Sequence, residues 1–295
     1  MPSQEMQQTI ALIAGQPKVG TTSIDEQRAG MEAQLANAPL PDGVTVDEIR
    51  VGAMTADWVT MPNSANGRVI LYLHGGGYVM GSRRTHRELA SRIARDASAR
   101  VLVLEYRLAP EHPFPAAVDD AAEAYRWLRK QGVAASSIAI AGDSAGGGLT
   151  LATLLKLRDA GDALPACAVL LSPWTDLEGT GASAQPGGAD DPMIPLPALR
   201  DMGKIYAQQS TAHPLASPVH ANFRGLPPLL IQVGTRELLL DDSTRVADKA
   251  RAAGVTVRLE VEEGAFHVWQ AMPGLPEAAE AVKRIGSFVR ERIPA

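Results

Sequence analysis

A chain of 295 residues with 45% hydrophobic content can bury the core of one large α/β domain. Its formal net charge of -5, spread without a block of like charges, excludes the basic footprint that nucleic acid requires. No apolar run is long enough for a bilayer, Met1 to Gln7 carry no secretory pattern, and the single cysteine, Cys167, reads as a small core residue, so a cytoplasmic protein without disulfides or membrane contact is expected.

Residues 3–36 hold two amphipathic helical patterns, one through Met6, Ile10 and Ile13, the other through Ile24, Met31 and Leu35, with Gly15-Gln16-Pro17 between them. They read equally as a helical pair on the domain surface or as half of a lid. Val44, Val46 and Ile49, then Trp58, Val59 and Met61 after a turn near Gly52, predict a hairpin. Arg68 to Leu73 is continuously apolar after its first residue, as in a strand buried on both faces, and it ends at His74-Gly75-Gly76-Gly77. A helix over 85–97, a strand over 100–105, a proline-dense loop over 108–115 and a helix over 116–130 follow.

The next strand, 137–143, runs into Gly142-Asp143-Ser144-Ala145-Gly146 and then a helical pattern over 149–160. A Gly-X-Ser-X-Gly between a strand and a helix places the serine on a sharp elbow, with glycines where a Cβ would collide with neighbouring backbone. A strand over 166–172 comes next. Residues 177–213 then break the rhythm with Gly179, Gly181, Gly187 and Gly188 and a short helical pattern around Leu199, Met202, Ile205 and Tyr206. The alternation resumes with a strand over 228–234, a helix over 244–253, a strand over 255–261 and a helix over 277–293. Strands alternating with helices imply a mostly parallel sheet with helices on both faces.

A serine hydroxyl attacks a carbonyl only when a neutral imidazole takes its proton and a carboxylate orients that imidazole. Of six histidines, His74, His86, His112, His213 and His220 have other places in the pattern, whereas His267 follows the last strand, where the order Ser, acid, His requires it. The acid should follow the strand 228–234, where Glu237 and Asp241 both qualify and could share one helix face. Backbone amides of the glycine run and of Ala145 are candidate donors to an oxyanion.

With these residues in hand, the chain from about Val69 to its C-terminus resembles the hormone-sensitive-lipase-like esterases of the α/β-hydrolase fold. The motifs that carry the likeness are His74-Gly75-Gly76-Gly77, the segment from Glu105 to Ala116, and Gly142 to Gly147, with Ser172-Pro173-Trp174 beside them. The resemblance implies an α/β-hydrolase with a mostly parallel eight-stranded sheet flanked by helices. It also implies cap helices over 1–40, a catalytic domain over 41–295, and a cap insertion at about 177–213. By position it makes Glu237 the triad acid beside Ser144 and His267, though the family's aspartate is here a glutamate and Asp241 stays a second candidate. Gly76, Gly77 and Ala145 would be the oxyanion donors, with His74 and Gly75 forming the turn of that loop. No metal or cofactor is implied, and family members often form a homodimer through the last strand and helix.

The expected activity is hydrolysis of small ester substrates through an acyl-enzyme. An amidase or lactonase would use the same groups, and a non-catalytic ligand receptor could share the fold. The apolar residues Met31, Leu35, Met193, Ile194, Met202 and Tyr206 suggest a closed pocket suited to short acyl chains, with Asp143, Met193, Ile194 and Tyr206 as pocket candidates. Glu111, His112 and Asp120 are expected to hold the proline loop and the helix after it.

Overall fold

The computed structural model describes residues 2–16 and 18–294. Met1, Pro17 and Ala295, which fall within the expected ranges 1–40 and 41–295 and, for Pro17, in the expected break between two helices, lie outside the described residues. The strands are β1 (Thr45–Val51), β2 (Met54–Thr60), β3 (Ala65–Leu73), β4 (Ala99–Glu105), β5 (Ile138–Asp143), β6 (Cys167–Leu171), β7 (Leu229–Gly234) and β8 (Val257–Glu262). Among the described residues they form one eight-stranded sheet in the order β1-β2-β4-β3-β5-β6-β7-β8, with β2 antiparallel to both β1 and β4 and every other pairing parallel. β5 and β6 are wholly buried, which is why they read as unbroken apolar runs rather than as alternating patterns.

The helices are α1 (Gln4–Ala14), α2 (Ile24–Leu35), α3 (Arg87–Ala97), α4 (Ala116–Lys130), α5 (Ala145–Asp159), α6 (Leu196–Ala207), α7 (Leu240–Ala252) and α8 (Pro276–Arg292). Leu89 and Ile93 of α3 and Val282, Ile285 and Phe288 of α8 cover one face of the sheet. Val118 of α4, Leu151 and Leu154 of α5 and Val246 of α7 join the core on the other. The alternation seen in sequence thus becomes a three-layer sandwich, the α/β-hydrolase arrangement. None of its described helices is long and apolar enough to cross a membrane.

α5 begins at Ala145, four residues ahead of the apolar pattern. Its first turn contains Gly146, Gly147 and Gly148, which are poor helix formers. They are needed because a Cβ there would strike the Leu73 carbonyl, Pro173 and the Trp174 carbonyl respectively. Close packing therefore overrides propensity. Likewise α7 starts at Leu240 rather than 244, which matters for the acid discussed below.

The N-terminal helices are tied to functional loops. Ser3 caps α1 through the Met6 N–H at 3.0 Å and donates its own N–H to Glu277 of α8 at 2.7 Å. Met6 and Ile10 pack with Phe266, Trp269 and Leu275, so α1 lies against the segment that holds His267. α2 opens with a Ser23/Glu26 capping box. Its Arg28 donates to the carbonyls of Val79 at 2.7 Å and Ala109 at 2.9 Å and pairs with Glu111. Asp120 binds the N–H and guanidinium of Arg107, so Glu111 and Asp120 do brace the proline loop.

Candidate active site

Four strand ends bring the motifs together. β3 and β5 are parallel neighbours with Leu73 level with Gly142, so the glycine loop and the serine elbow emerge side by side. Ser144 has φ 53° and ψ -120°, a conformation that residues with a Cβ rarely adopt. Its N–H donates to the Leu171 carbonyl and its own carbonyl accepts from the Trp174 N–H, each at 2.8 Å, so the turn after β6 clamps the elbow. A Cβ on Gly142 would collide with the Gly146 carbonyl, and one on Gly146 with the Leu73 carbonyl. The two flanking glycines are obligatory for the reason read from sequence.

The loop after β3 also requires special backbone. Gly76, Gly77 and Tyr78 have φ of 117°, 62° and 62°, so three successive residues lie outside the region favoured by side-chain-bearing residues. Two packing contacts hold them. The Met202 sulfur lies where a Cβ on Gly77 would project, and the Tyr206 ring stacks on Tyr78 at 3.7 Å between centroids and 4° between planes. Both come from one face of α6, four residues apart.

The acid and the base come from the other half of the sheet. β7 and β8 run parallel with Gly234 level with Glu262, and Glu237 and His267 follow them. Fully buried, Glu237 accepts from His267 Nδ1 at 2.9 Å through Oε2. Its Oε1 accepts from the Ser172 hydroxyl at 2.8 Å and the Gly234 N–H at 2.5 Å. Burying an ionised carboxylate costs several kcal/mol, whereas hydrogen bonds to a charged group contribute about 1.5–3 kcal/mol each. Three donors are of the right order to offset that cost. With Nδ1 committed to Glu237, Nε2 is the nitrogen left for proton transfer. Burial opposes charging of His267, but the hydrogen bond and charge of Glu237 outweigh it, and Asp191 and Asp143 add to them. The net effect holds the imidazole above its ordinary value.

Ser172 connects the two halves. Its hydroxyl donates to Glu237 and accepts from the Val268 N–H at 3.1 Å, directly after His267, while its chain neighbour Leu171 binds the Ser144 N–H. In the sequence Ser172 stands out only as part of the Ser172-Pro173-Trp174 motif. Its signal was position, a serine immediately past the buried strand next to that of the nucleophile.

Two expectations are corrected. Glu237 and Asp241 do not share a helix face, because Glu237 lies in the turn before α7 and Asp241 in its first turn. Asp241 instead accepts from the Ser183 N–H at 3.1 Å, and its own N–H donates to the Ser183 hydroxyl at 3.0 Å. Asp143 is not placed to line a pocket: it is 4% exposed and turned to Tyr72, Gly75 and His86. Of the other pocket candidates, Tyr206 is buried in its stack with Tyr78 and in an edge contact with Phe114. The backbone amides of Met193 and Ile194 bind Asp191. Leu35 is 36% exposed, whereas Met31 packs against the core. A cavity of about 420 Å³ beside Arg28, Glu32 and His112 shares no residue with the Ser144 constellation.

A family model for the alpha/beta hydrolase fold matches residues 70–271. An acetyl-hydrolase of Streptomyces hygroscopicus is 47% identical over 258 residues, covering 87% of this chain and 85% of that protein. The crystal structure of EstE5 soaked with ethyl alcohol superposes with a TM-score of 0.96 at 44% identity, over 99% of this chain and 100% of that one. An esterase from the bacterial hormone-sensitive lipase family superposes at 0.94 with 45% identity, over 99% of each chain.

Proposed function

The chain belongs to the hormone-sensitive-lipase-like esterases of the α/β-hydrolase fold and is a serine ester hydrolase, and on that premise we propose that it cleaves short-chain acyl esters through Ser144, His267 and Glu237. The observation that carries this reading is the buried bond from His267 Nδ1 to Glu237, which leaves Nε2 as the base at the sheet end where Ser144 stands. Ser144 Oγ attacks the carbonyl carbon as its proton passes to Nε2. The amides of Gly76, Gly77 and Ala145 receive the oxyanion, helped by the positive N-terminal end of α5. Collapse breaks the ester bond, and the leaving oxygen takes the proton from His267. Water then repeats the sequence on the acyl-enzyme.

We assign α1 and α2 together with residues 177–213 to a lid. Lys18 donates to the Pro192 carbonyl, Gly20 lies against Ala198, and Met202 and Tyr206 sit on the glycine loop; these contacts support one layer built from both segments. A lid packed that closely favours small acyl groups. p-Nitrophenyl acetate and butyrate should therefore be cleaved at least about tenfold faster than the hexadecanoate, and p-nitroacetanilide slower still. Rates that climb steadily from four to sixteen carbons would reject the short-chain reading, and equal rates on ester and anilide would favour an amidase.

The pH dependence follows from His267. Catalysis needs the neutral ring, and Glu237 holds the protonated form to higher pH than usual, so kcat/KM should rise with pH through a midpoint above the ordinary imidazole value of about 6.5 and then level off. A profile already flat at pH 6, with chemistry limiting, would exclude His267 as the base.

A further inference from the structure

One buried histidine–carboxylate contact takes no part in the catalytic cycle. His86 stands at the N-cap of α3, 6% exposed, and faces Asp143, the residue before the nucleophile. Asp143 Oδ1 accepts from the Tyr72 hydroxyl at 2.8 Å and the Gly75 N–H at 3.1 Å, and His86 Nε2 lies 3.4 Å from the same oxygen. The other ring nitrogen decides the proton count. Thr85 Oγ1 lies 2.9 Å from the Ser82 carbonyl and 2.9 Å from His86 Nδ1, and it accepts from Nδ1 when its own hydrogen goes to that carbonyl. The Ser82 carbonyl, 3.2 Å from Nδ1, can only accept. A proton on Nδ1 serves both oxygens, whereas a bare Nδ1 would face the Ser82 carbonyl lone pair to lone pair.

A bare Nε2 would point its lone pair at the carboxylate and compete for the Gly75 N–H, which is 3.3 Å away. A proton there removes both conflicts: the ring becomes a cation, Nε2–H is shared with Asp143, and the Gly75 N–H is left to the carboxylate. The titratable groups around the pair are Tyr72, His74 and Glu105. Burial pushes His74 down to about 3, so it supplies no cation. Burial opposes charge on His86 too, but Asp143 outweighs it and holds the ring above its ordinary value.

We propose that the His86 imidazolium, paired with the Asp143 carboxylate against Gly75, is a positioning group that keeps the amides of Gly76 and Gly77 in register with Ser144. This rests on those amides being the oxyanion donors. One carboxylate reaches both elements, since Asp143 precedes the nucleophile and Gly75 precedes the donors. The fit is close enough that a Cβ on Gly75 would strike the carboxylate.

The test has a spectroscopic and a kinetic arm. In 15N-histidine-labelled wild-type protein at pH 7, with His86 assigned through its own bonds, both ring nitrogens should be protonated; a bare Nδ1 or a bare Nε2 overturns the proposal whether or not any variant folds. His86→Gln removes the cation while keeping a donor. It should lower kcat on p-nitrophenyl butyrate by about ten- to a hundredfold with KM within about threefold. Combined with Asp143→Asn, it should lose no more than the worse single variant. Normal kcat in folded His86→Gln, or fully additive losses, would also overturn it. Ser144→Ala in the same assay separates the two levels: if that variant kept its turnover, the Ser144 mechanism on which the donor assignment rests would fail, whereas an inactive Ser144→Ala beside a normal His86→Gln would remove only the role of His86.

Discussion

His267→Ala should lose about 10⁴-fold or more in kcat on p-nitrophenyl butyrate, Ser144→Ala should lose a similar factor, and the double variant little beyond either. The two side chains act in one step. A neutral serine hydroxyl is a poor nucleophile, and without Nε2 to take its proton the attack forfeits its driving force, so removing either partner disables the same step. What survives is the contribution of the backbone donors, which do not depend on either side chain; a residual rate of about 10³-fold over the uncatalysed reaction is expected from them and from substrate binding. Burst kinetics on a fast-leaving ester would report the acyl-enzyme directly. Near-normal turnover by a folded His267→Ala protein would dismiss the assignment, since the bond from Nδ1 to Glu237 at 2.9 Å would then orient a ring without a catalytic role.

What could be read from the chain alone followed from how locally each feature is encoded. The runs at 69–73, 138–141 and 167–171 are apolar without interruption because both faces of the sheet are covered, and that pattern needs no knowledge of partners. The serine elbow was equally legible, because its flanking glycines answer to backbone atoms a few residues away or on the adjacent strand. The setting of Asp143 is illegible for the opposite reason. Its partners Tyr72, Gly75 and His86 lie 57 to 71 positions earlier, and nothing near Asp143 in sequence announces them. α5 starts four residues ahead of its apolar pattern because three glycines, which resemble loop in sequence, are demanded by the crowding of Leu73, Pro173 and Trp174. Histidines separate the same way: His267 could be picked from its place after the last strand, whereas the setting of His86 depends on three loops meeting.

The acid shows how a one-turn shift in a helix start changes chemistry. From spacing, Glu237 and Asp241 were equivalent; with α7 beginning at Leu240, they diverge, Glu237 turning back to the strand ends and Asp241 outward to Ser183. Glu237→Ala should therefore lower kcat on p-nitrophenyl butyrate by about a hundredfold or more. Two effects combine in that loss, because His267 loses both the acceptor that fixes its tautomer and the charge that stabilises its protonated form. The same substitution strips Ser172 and the Gly234 N–H of their acceptor, so some stability should go with it, and folding must be verified by the thermal transition before kinetics are read. Glu237→Gln is the sharper variant, since it keeps the bulk and an acceptor oxygen while removing the charge; its kcat/KM should rise with pH through a lower midpoint than the wild type. Asp241→Ala should keep kcat within about threefold, with any deficit appearing in the stability of the segment around Ser183. The reverse pattern, an active Glu237→Ala and an inactive Asp241→Ala, would require the loop at 183 to move and His267 to turn toward α7 during turnover.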